Sequence, residues 1–258
     1  MGYTAVDTIP IRIDADAASR ASLDPARADA VRAALLSRTV PLARAVHGRP
    51  EPLATAALVA DGNTLALLTA AHVFEHAAVG DLMLPLPRDG GWLALRCGQL
   101  RVLEHAERDI ALLVIGPAAL ARRLRDNWMP VALGHLLLAP DDRHAPPLYA
   151  LAGYPVSQAR RIDGHMYMKP VVLFTRALDA ECLAYARTAQ RIDGLHVHTP
   201  ELDGVSGALV WALHGDDDDD GTRCVLRAAA LQTAFLHGRH LRTAPLRAAP
   251  ALFAHMAR

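Results

Sequence analysis

Lysine is almost absent from this sequence, cysteine is scarce and aromatic residues make up only 5%. Lys169 is the only lysine, so nearly all the positive charge is arginine. With so much alanine present, this reads as genomic compositional bias. The 27 basic residues are matched by 27 acidic ones, for a formal net charge of +0. A chain without charge excess lacks the electrostatic footprint of a nucleic-acid or membrane-surface binder, and neither partner is expected. Cys97, Cys182 and Cys224 are odd in number and widely separated, which suggests no disulfide framework and no zinc spacing. They read as buried free thiols in a reducing compartment. No apolar run is long enough to span a bilayer. Residues Met1 to Arg20 lack a basic start followed by an apolar core, so no secretory signal is read there and a cytoplasmic location is expected.

What is present is apolar sequence cut into short lengths. Of 258 residues 52% are hydrophobic, enough for a sizeable core in one large domain or two small ones. Ile9, Ile11 and Ile13 alternate as in a strand. Asp24-Pro25 opens a helical segment with Val31, Leu35 and Leu36 on its apolar stripe. Beyond His47-Gly48-Arg49-Pro50 the pattern changes to apolar runs at 53–60, 64–70, 81–86, 92–97, 99–103 and 110–115. Asp61-Gly62 and Asp89-Gly90-Gly91 mark hairpin turns between them. Strand-like runs continue at 148–153, 170–176, 195–199, 208–213 and 224–235, with helices expected at 117–126 and 245–258. Many short strands at regular spacing predict an all-β protein, a sandwich or barrels. The Pro-, Asp- and His-rich stretch 140–147 reads as the connection between two β-rich halves. The aspartate run 216–220 reads as a solvated hairpin tip. The expected organisation is an N-terminal extension, 1–49, with one helix, followed by a β domain, 50–258.

A histidine, an aspartate and a serine occur in that order, each in a distinctive setting. Ser206 lies in Asp203-Gly204-Val205-Ser206-Gly207, His72 in Thr69-Ala70-Ala71-His72, and Asp109 just before the apolar run Ile110–Ile115. A serine hydroxyl is a poor nucleophile until a base takes its proton and donors stabilise the oxyanion that forms. Glycines on both sides of Ser206 allow a tight turn that can aim the N–H groups of Gly204 and Ser206 at one spot. Each piece has a plainer reading. The serine turn can be a glycine-rich lead into a strand, His72 a structural histidine, and Asp109 a partner of Arg108.

Together these segments resemble the trypsin/chymotrypsin-like serine peptidases. Members carry the histidine in T-A-A-H or T-A-G-H, the aspartate before a short apolar strand, and the serine in G-x-S-G. Gly153-Tyr154-Pro155 is a further match to bacterial members. The resemblance covers roughly residues 50–240. It implies a chymotrypsin-like double six-stranded β-barrel, with barrels at about 50–139 and 148–244, a short N-terminal extension and a C-terminal helix. It also implies peptide-bond hydrolysis without metal or organic cofactor. Ser206 would be the nucleophile, His72 the general base and Asp109 its orienting partner, with the amides of Gly204 and Ser206 as oxyanion hole. A peptide or protein substrate would pair with the backbone around Thr233–Phe235. Pro200 and Gln232 would lie in the pocket for the side chain preceding the cleaved bond.

The sequence departs from the family at several points. The glycine and proline usual after G-x-S-G are Ala208 and Leu209 here. Val205 stands where digestive members carry the aspartate that receives a new N-terminus, so that activation route should be absent. Gln232 replaces the histidine with which glutamyl endopeptidases hold an acidic side chain, and Pro200 supplies no charge. An uncharged side chain before the cut bond is therefore expected. Gly204–Ala208 also approximates the nucleophile elbow of α/β-hydrolases. That fold orders serine before acid and histidine, and only residues 207–258 follow Ser206. His196 and His198 alternate on one strand without a recognisable third metal ligand. From a different class comes the alternative of a protease-fold binding or interaction module with impaired catalysis.

Overall fold

The structure is a computed structural model. It describes residues 10–12, 25–136, 138, 148–185, 189–192, 195–198, 201–215, 224–236 and 240–256. The expected connection 140–147, the aspartate run 216–220, Asp24 and Pro200 lie outside the described residues.

The chain is mostly β-strand. In order come β1 (Pro10–Arg12), helix α1 (Pro25–Leu36), β2 (Thr39–Val46), β3 (Arg49–Asp61), β4 (Thr64–Thr69), the short helix α2 (Val73–His76), β5 (Leu82–Leu86), β6 (Gly91–Ala94), β7 (Leu100–His105), β8 (Ile110–Ile115), helix α3 (Ala118–Asn127) and β9 (Val131–Ala132). The second half holds β10 (Leu148–Gly153), β11 (Ala159–Ile162), β12 (His165–Met168), β13 (Val171–Thr175), β14 (Cys182–Ala184), β15 (Ala189–Ile192), β16 (Leu195–His198), β17 (Leu209–Gly215), β18 (Cys224–Leu236), β19 (His240–Pro245) and helix α4 (Pro250–Ala254). Among the described residues no helix is long and apolar enough to cross a membrane.

Two sheets organise these strands. The first runs β6-β5-β2-β3-β4-β8-β7, with β9 parallel to the end of β3. The second runs β1-β13-β10-β17-β18-β19-β14 and is antiparallel apart from β1 beside β13. β11 with β12, and β15 with β16, form two-stranded hairpins of their own.

The local reasons are visible strand by strand. β8, Ile-Ala-Leu-Leu-Val-Ile, is buried along its whole length between β4 and β7, as expected of a continuous apolar run. β3 and β4 pair Asp61 with Thr64 across Gly62-Asn63, a two-residue hairpin loop with Gly62 at positive φ. His47-Gly48 turned out to be such a turn too, with both residues at positive φ and Val46 facing Arg49. Thr39–Val46, within the expected N-terminal extension 1–49, is therefore an inner strand of the first sheet, between β5 and β3. The α1 residues Val31 and Leu35 also pack into the main core. At the other end, helix is confined to Pro250–Ala254 and a 3-10 turn at Leu246–Ala248, because Thr243 to Pro245 still pair with β18.

The main core draws on both sheets, including Leu68 and Leu112 from the first and Trp211 and Leu231 from the second. A smaller core under the second sheet contains Leu151, Leu173, Tyr185 and Val205. The seam between the sheets is where the chemically interesting side chains collect.

Candidate active site

His72 lies just beyond β4, after Ala70 and Ala71. Thr69 ends the strand fully buried, Ala70 is buried behind it, and His72 stands at the N-terminus of α2 with φ −60. Small residues at 69–71 let this turn sit against its neighbours. Asp109 enters β8 with φ +52, a left-handed conformation that aspartate tolerates better than most residues. The two meet at two points. The His72 backbone N–H donates to Asp109 Oδ1 at 2.8 Å, and His72 Nδ1 is 2.7 Å from Asp109 Oδ2. The Asp109 backbone carbonyl accepts from the Ala71 N–H at 3.3 Å. Arg108 does not compete for this carboxylate; its guanidinium binds Glu181.

This clasp sets the charges. The Asp109 carboxylate bonded to its ring holds the His72 imidazole above the usual histidine value of 6.5, against the opposite effect of burial, with a smaller contribution from Glu75. Burial pushes the Asp109 carboxyl up, but the His72 ring and backbone N–H bonds outweigh it and hold it below the usual 3.8.

Ser206 lies on the turn between Leu202 and β17. Gly204 and Gly207 both have φ +90, and both are sterically required. A Cβ on Gly204 would stand 2.9 Å from the Tyr154 carbonyl, and one on Gly207 would stand 2.0 Å from the Thr55 carbonyl. Val205 is fully buried, and a Cβ on Gly153 would be 2.6 Å from its Cγ1, which explains the glycine at the end of β10.

The amides of this turn divide into two sets. Those of Val205, Gly207 and Ala208 donate to the carbonyls of Leu202, Gln232 and Val205. Among the described residues, the N–H groups of Gly204 and Ser206 donate to none. Their directions are nonetheless fixed. The Gly204 N–H shares a peptide plane with the Asp203 carbonyl, which accepts from the Val156 N–H at 2.7 Å. The Ser206 N–H shares its plane with the Val205 carbonyl, which accepts from the Ala208 N–H at 2.9 Å. A planar trans peptide points its N–H opposite to its C=O. Each free amide is thus aimed by a bond on the far side of its own plane.

His72, Gly204 and Ser206 line a single cleft of about 280 Å³, together with Leu53, Val156, Asp203, Gln232 and Phe235. The Ser206 hydroxyl is turned toward the Thr233 carbonyl at 3.4 Å, long for a bond between oxygens. Thr233 sits at a register shift between Gln232 and Ala234 in the β18–β19 pairing. Pairing of β17 with β18 stops at Leu209 opposite Leu231, so among the described residues Ala234 and Phe235 are paired on the β19 side alone. Of the residues expected in the site, Gln232 and Phe235 line the cleft, Thr233 contacts the serine, and Pro200 lies outside the described residues. His196 and His198 lie on β16, opposite Arg191 and Ala189.

Sequence reading missed Thr55. It is fully buried in β3, and its hydroxyl donates to the Gly204 carbonyl at 2.8 Å and accepts from the Tyr154 N–H at 3.0 Å. Its N–H donates to the Ser206 carbonyl at 2.9 Å, and its own carbonyl accepts from the Thr69 hydroxyl at 2.8 Å. The available signal was a lone hydroxyl inside the apolar run 53–60, since a buried polar group needs partners.

No family model matches the sequence, and no curated protein does. Solved structures do. A chain from a structure concerned with aromatic interactions in the coupled folding and binding of the intrinsically disordered Sesbania mosaic virus VPg protein matches at 12% identity and TM-score 0.45, over 81% of this chain and 86% of that one. The VesB protease of Vibrio cholerae matches at 11% identity and TM-score 0.46, over 85% of this chain and 64% of that one.

Proposed function

We propose that the chain is a serine endopeptidase of the trypsin/chymotrypsin type. The observation that carries this reading is the meeting, in one cleft, of a histidine clasped by a carboxylate and a serine flanked by two free, oriented amides. In the reaction Ser206 Oγ attacks a peptide carbonyl as His72 Nε2 takes its proton. Asp109 accepts the Nδ1–H and stabilises the imidazolium without itself being protonated. The carbonyl oxygen, now negative, is received by the Gly204 and Ser206 amides. Collapse expels the amine with the proton from His72 and leaves an ester on Ser206, which water hydrolyses by the same steps reversed. Nothing in this sequence of steps calls for a metal or an organic cofactor.

In the same reading each sheet curls into a barrel, the substrate adds as a strand to Ala234–Phe235, and the scissile bond lies between the barrels. The long Ser206–Thr233 contact is weak enough to be exchanged for one to His72 when substrate binds. It is also the feature that favours the alternative, a protease-fold module that binds peptides without cutting them. Hydrolysis of a mixed fluorogenic peptide library separates the two. Turnover that disappears in Ser206→Ala supports the peptidase; turnover equal in that variant overturns it.

A further inference from the structure

The hairpin β11–β12 has two unlike faces. Its register sets Arg160 opposite Tyr167 and Ile162 opposite His165, while Ala159 faces Met168 and Arg161 faces Met166. Directly opposed residues of an antiparallel pair, and residues two apart on one strand, share a face. The face of Ala159, Arg161, Met166 and Met168 is turned inward. Met168 is buried, Ala159 and Met166 are half-buried, and the Arg161 guanidinium donates to the Pro50 carbonyl of β3 at 2.9 Å. The face of Arg160, Ile162, His165 and Tyr167 is turned outward, with all four residues exposed.

Apolar bulk and positive charge coincide there. Six large apolar side chains stand exposed among the described residues, and three of them, Val156, Ile162 and Tyr167, lie on this hairpin or the turn that leads into it. Such a concentration marks an interaction surface, where scattered single residues would not. Residues 156–170 hold Arg160, Arg161 and Lys169 against one carboxylate, that of Asp163 in the hairpin turn. Among the described residues none of the three cations forms an ion pair, and Arg161 donates to the carbonyls of Gly164 and Pro50. The hairpin also grows out of the cleft wall. Val156 lines the cleft and opens the 3-10 turn Val156–Gln158, which runs straight into β11.

We infer that the outer face of β11–β12 is an accessory docking site, outside the cleft, for an acidic segment of the protein substrate that also carries an aromatic or aliphatic side chain. The inference rests on the peptidase reading for its occupant and adds a means of selecting substrates away from the cut bond. Partner carboxylates supply the opposite charge that Arg160 and Lys169 lack, and the partner's apolar side chain covers Ile162 and Tyr167. Glu201 and Asp203, both exposed, join the turn before β11, where their backbone carbonyls accept from Ser157 Oγ and the Val156 N–H. Their like charge disfavours an acidic segment at the cleft rim and leaves the hairpin face as its place.

The probe is a fluorescein-labelled peptide in which glutamate alternates with phenylalanine and leucine, compared with a twin carrying glutamine for glutamate. Binding is read by anisotropy on full-length Ser206→Ala protein. The acidic peptide is expected to bind about tenfold more tightly than its twin, and to weaken as salt rises, because exposed charges are screened. Arg160→Glu is expected to weaken it by about tenfold and Tyr167→Ser by about fivefold, with thermal unfolding unchanged. Arg160→Gln, a milder change, is expected to cost about threefold. Equal binding of the two peptides, or binding unchanged in Arg160→Glu and Tyr167→Ser, overturns the inference. Self-association of wild-type protein that both variants abolish overturns it too, by giving the face to a second copy of the chain.

Two fluorogenic substrates that share one cleavable segment and differ in an appended acidic or amide tail tie the site to catalysis. The acidic tail is expected to lower KM with kcat unchanged. Arg160→Glu is expected to remove that advantage and leave turnover of the amide-tailed substrate as in wild type. Selective binding without turnover in wild type refutes the peptidase reading and leaves the docking surface standing. Turnover without selective binding does the reverse.

Discussion

The hydroxyl of Thr55 donates to the carbonyl of Gly204 at 2.8 Å, joining residues 149 apart in sequence. Thr55 belongs to the first sheet and Gly204 to the turn that opens the second sheet's β17. The same threonine receives the Tyr154 N–H and donates its own N–H to Ser206. One buried residue thus ties the serine turn to the strand that precedes the histidine, its backbone carbonyl accepting from the Thr69 hydroxyl at the end of β4.

Replacing Thr55 with valine keeps the branched shape and deletes the hydroxyl. The Tyr154 N–H and the Gly204 carbonyl then lose a partner, at a cost of about 1–3 kcal/mol for each buried group left unmade. Urea denaturation is expected to show a loss in that range. With the turn loosened, kcat should fall more than KM rises.

Gly207→Ala should be far worse. A Cβ there would stand 2.0 Å from the Thr55 carbonyl and 2.3 Å from Thr69 Oγ1, at φ +90. Strain and overlap together are expected to cost more than about 3 kcal/mol. Gly134→Ala is the control, since nothing lies within 4 Å of a Cβ at that position. Thermal unfolding of the two variants should differ widely.

The pH dependence follows from the His72–Asp109 clasp. In the proposed mechanism His72 must be neutral to act as base, and its pKa is raised above 6.5. The rise of kcat/KM with pH should therefore have its midpoint above that value. Asp109→Asn removes the main cause of the elevation, so the midpoint should move down, and on the proposed mechanism the rate should fall by about four orders of magnitude. Stability obeys a separate rule. The contribution of the raised His72 is present below 6.5 and is lost as pH rises through its folded pKa. That of the lowered Asp109 is present above 3.8 and is lost as pH falls through its folded pKa. The clasp therefore contributes most between these values. The stability gap between wild type and Asp109→Asn should be larger near pH 5 than near about pH 9.

In the proposed peptidase, Val205 bears on activation. It is fully buried among Leu151, Leu202 and Ala208 and has no carboxylate to receive a new N-terminus. Full-length protein should react with a serine-directed probe as readily as protein trimmed to begin at Pro25. A strict need for trimming would contradict this and would make the leading residues inhibitory. Trimming at Pro50 is a poor test, because it deletes β2.

Much of the strand layout was legible because burial and apolar runs coincide. Ile110–Ile115 has the same bounds in sequence and structure. β2 was not, because Pro41 and Arg44 interrupt its apolar pattern while His47-Gly48 looks like a boundary. The β11–β12 hairpin was also passed over. Arg160, Arg161 and Ile162 are all exposed, so no alternation marks the strand, although Asp163-Gly164, both at positive φ, is a strong hairpin turn signal. In the candidate site, short local motifs marked out His72, Asp109 and Ser206, of which the structure pairs His72 with Asp109 and sets His72 and Ser206 in one cleft. Thr55 was not legible, because its role depends on contacts with Tyr154, Gly204 and Ser206, which no local pattern encodes.

The most direct test of the central claim is intact-mass analysis after reaction with a fluorophosphonate, a reagent that needs both an activated serine and an oxyanion hole. The account predicts a single adduct on the peptide containing Ser206, absent in Ser206→Ala and slowed by orders of magnitude in His72→Ala. A folded wild-type protein that forms no adduct, or one labelled equally in the Ser206→Ala variant, would contradict it.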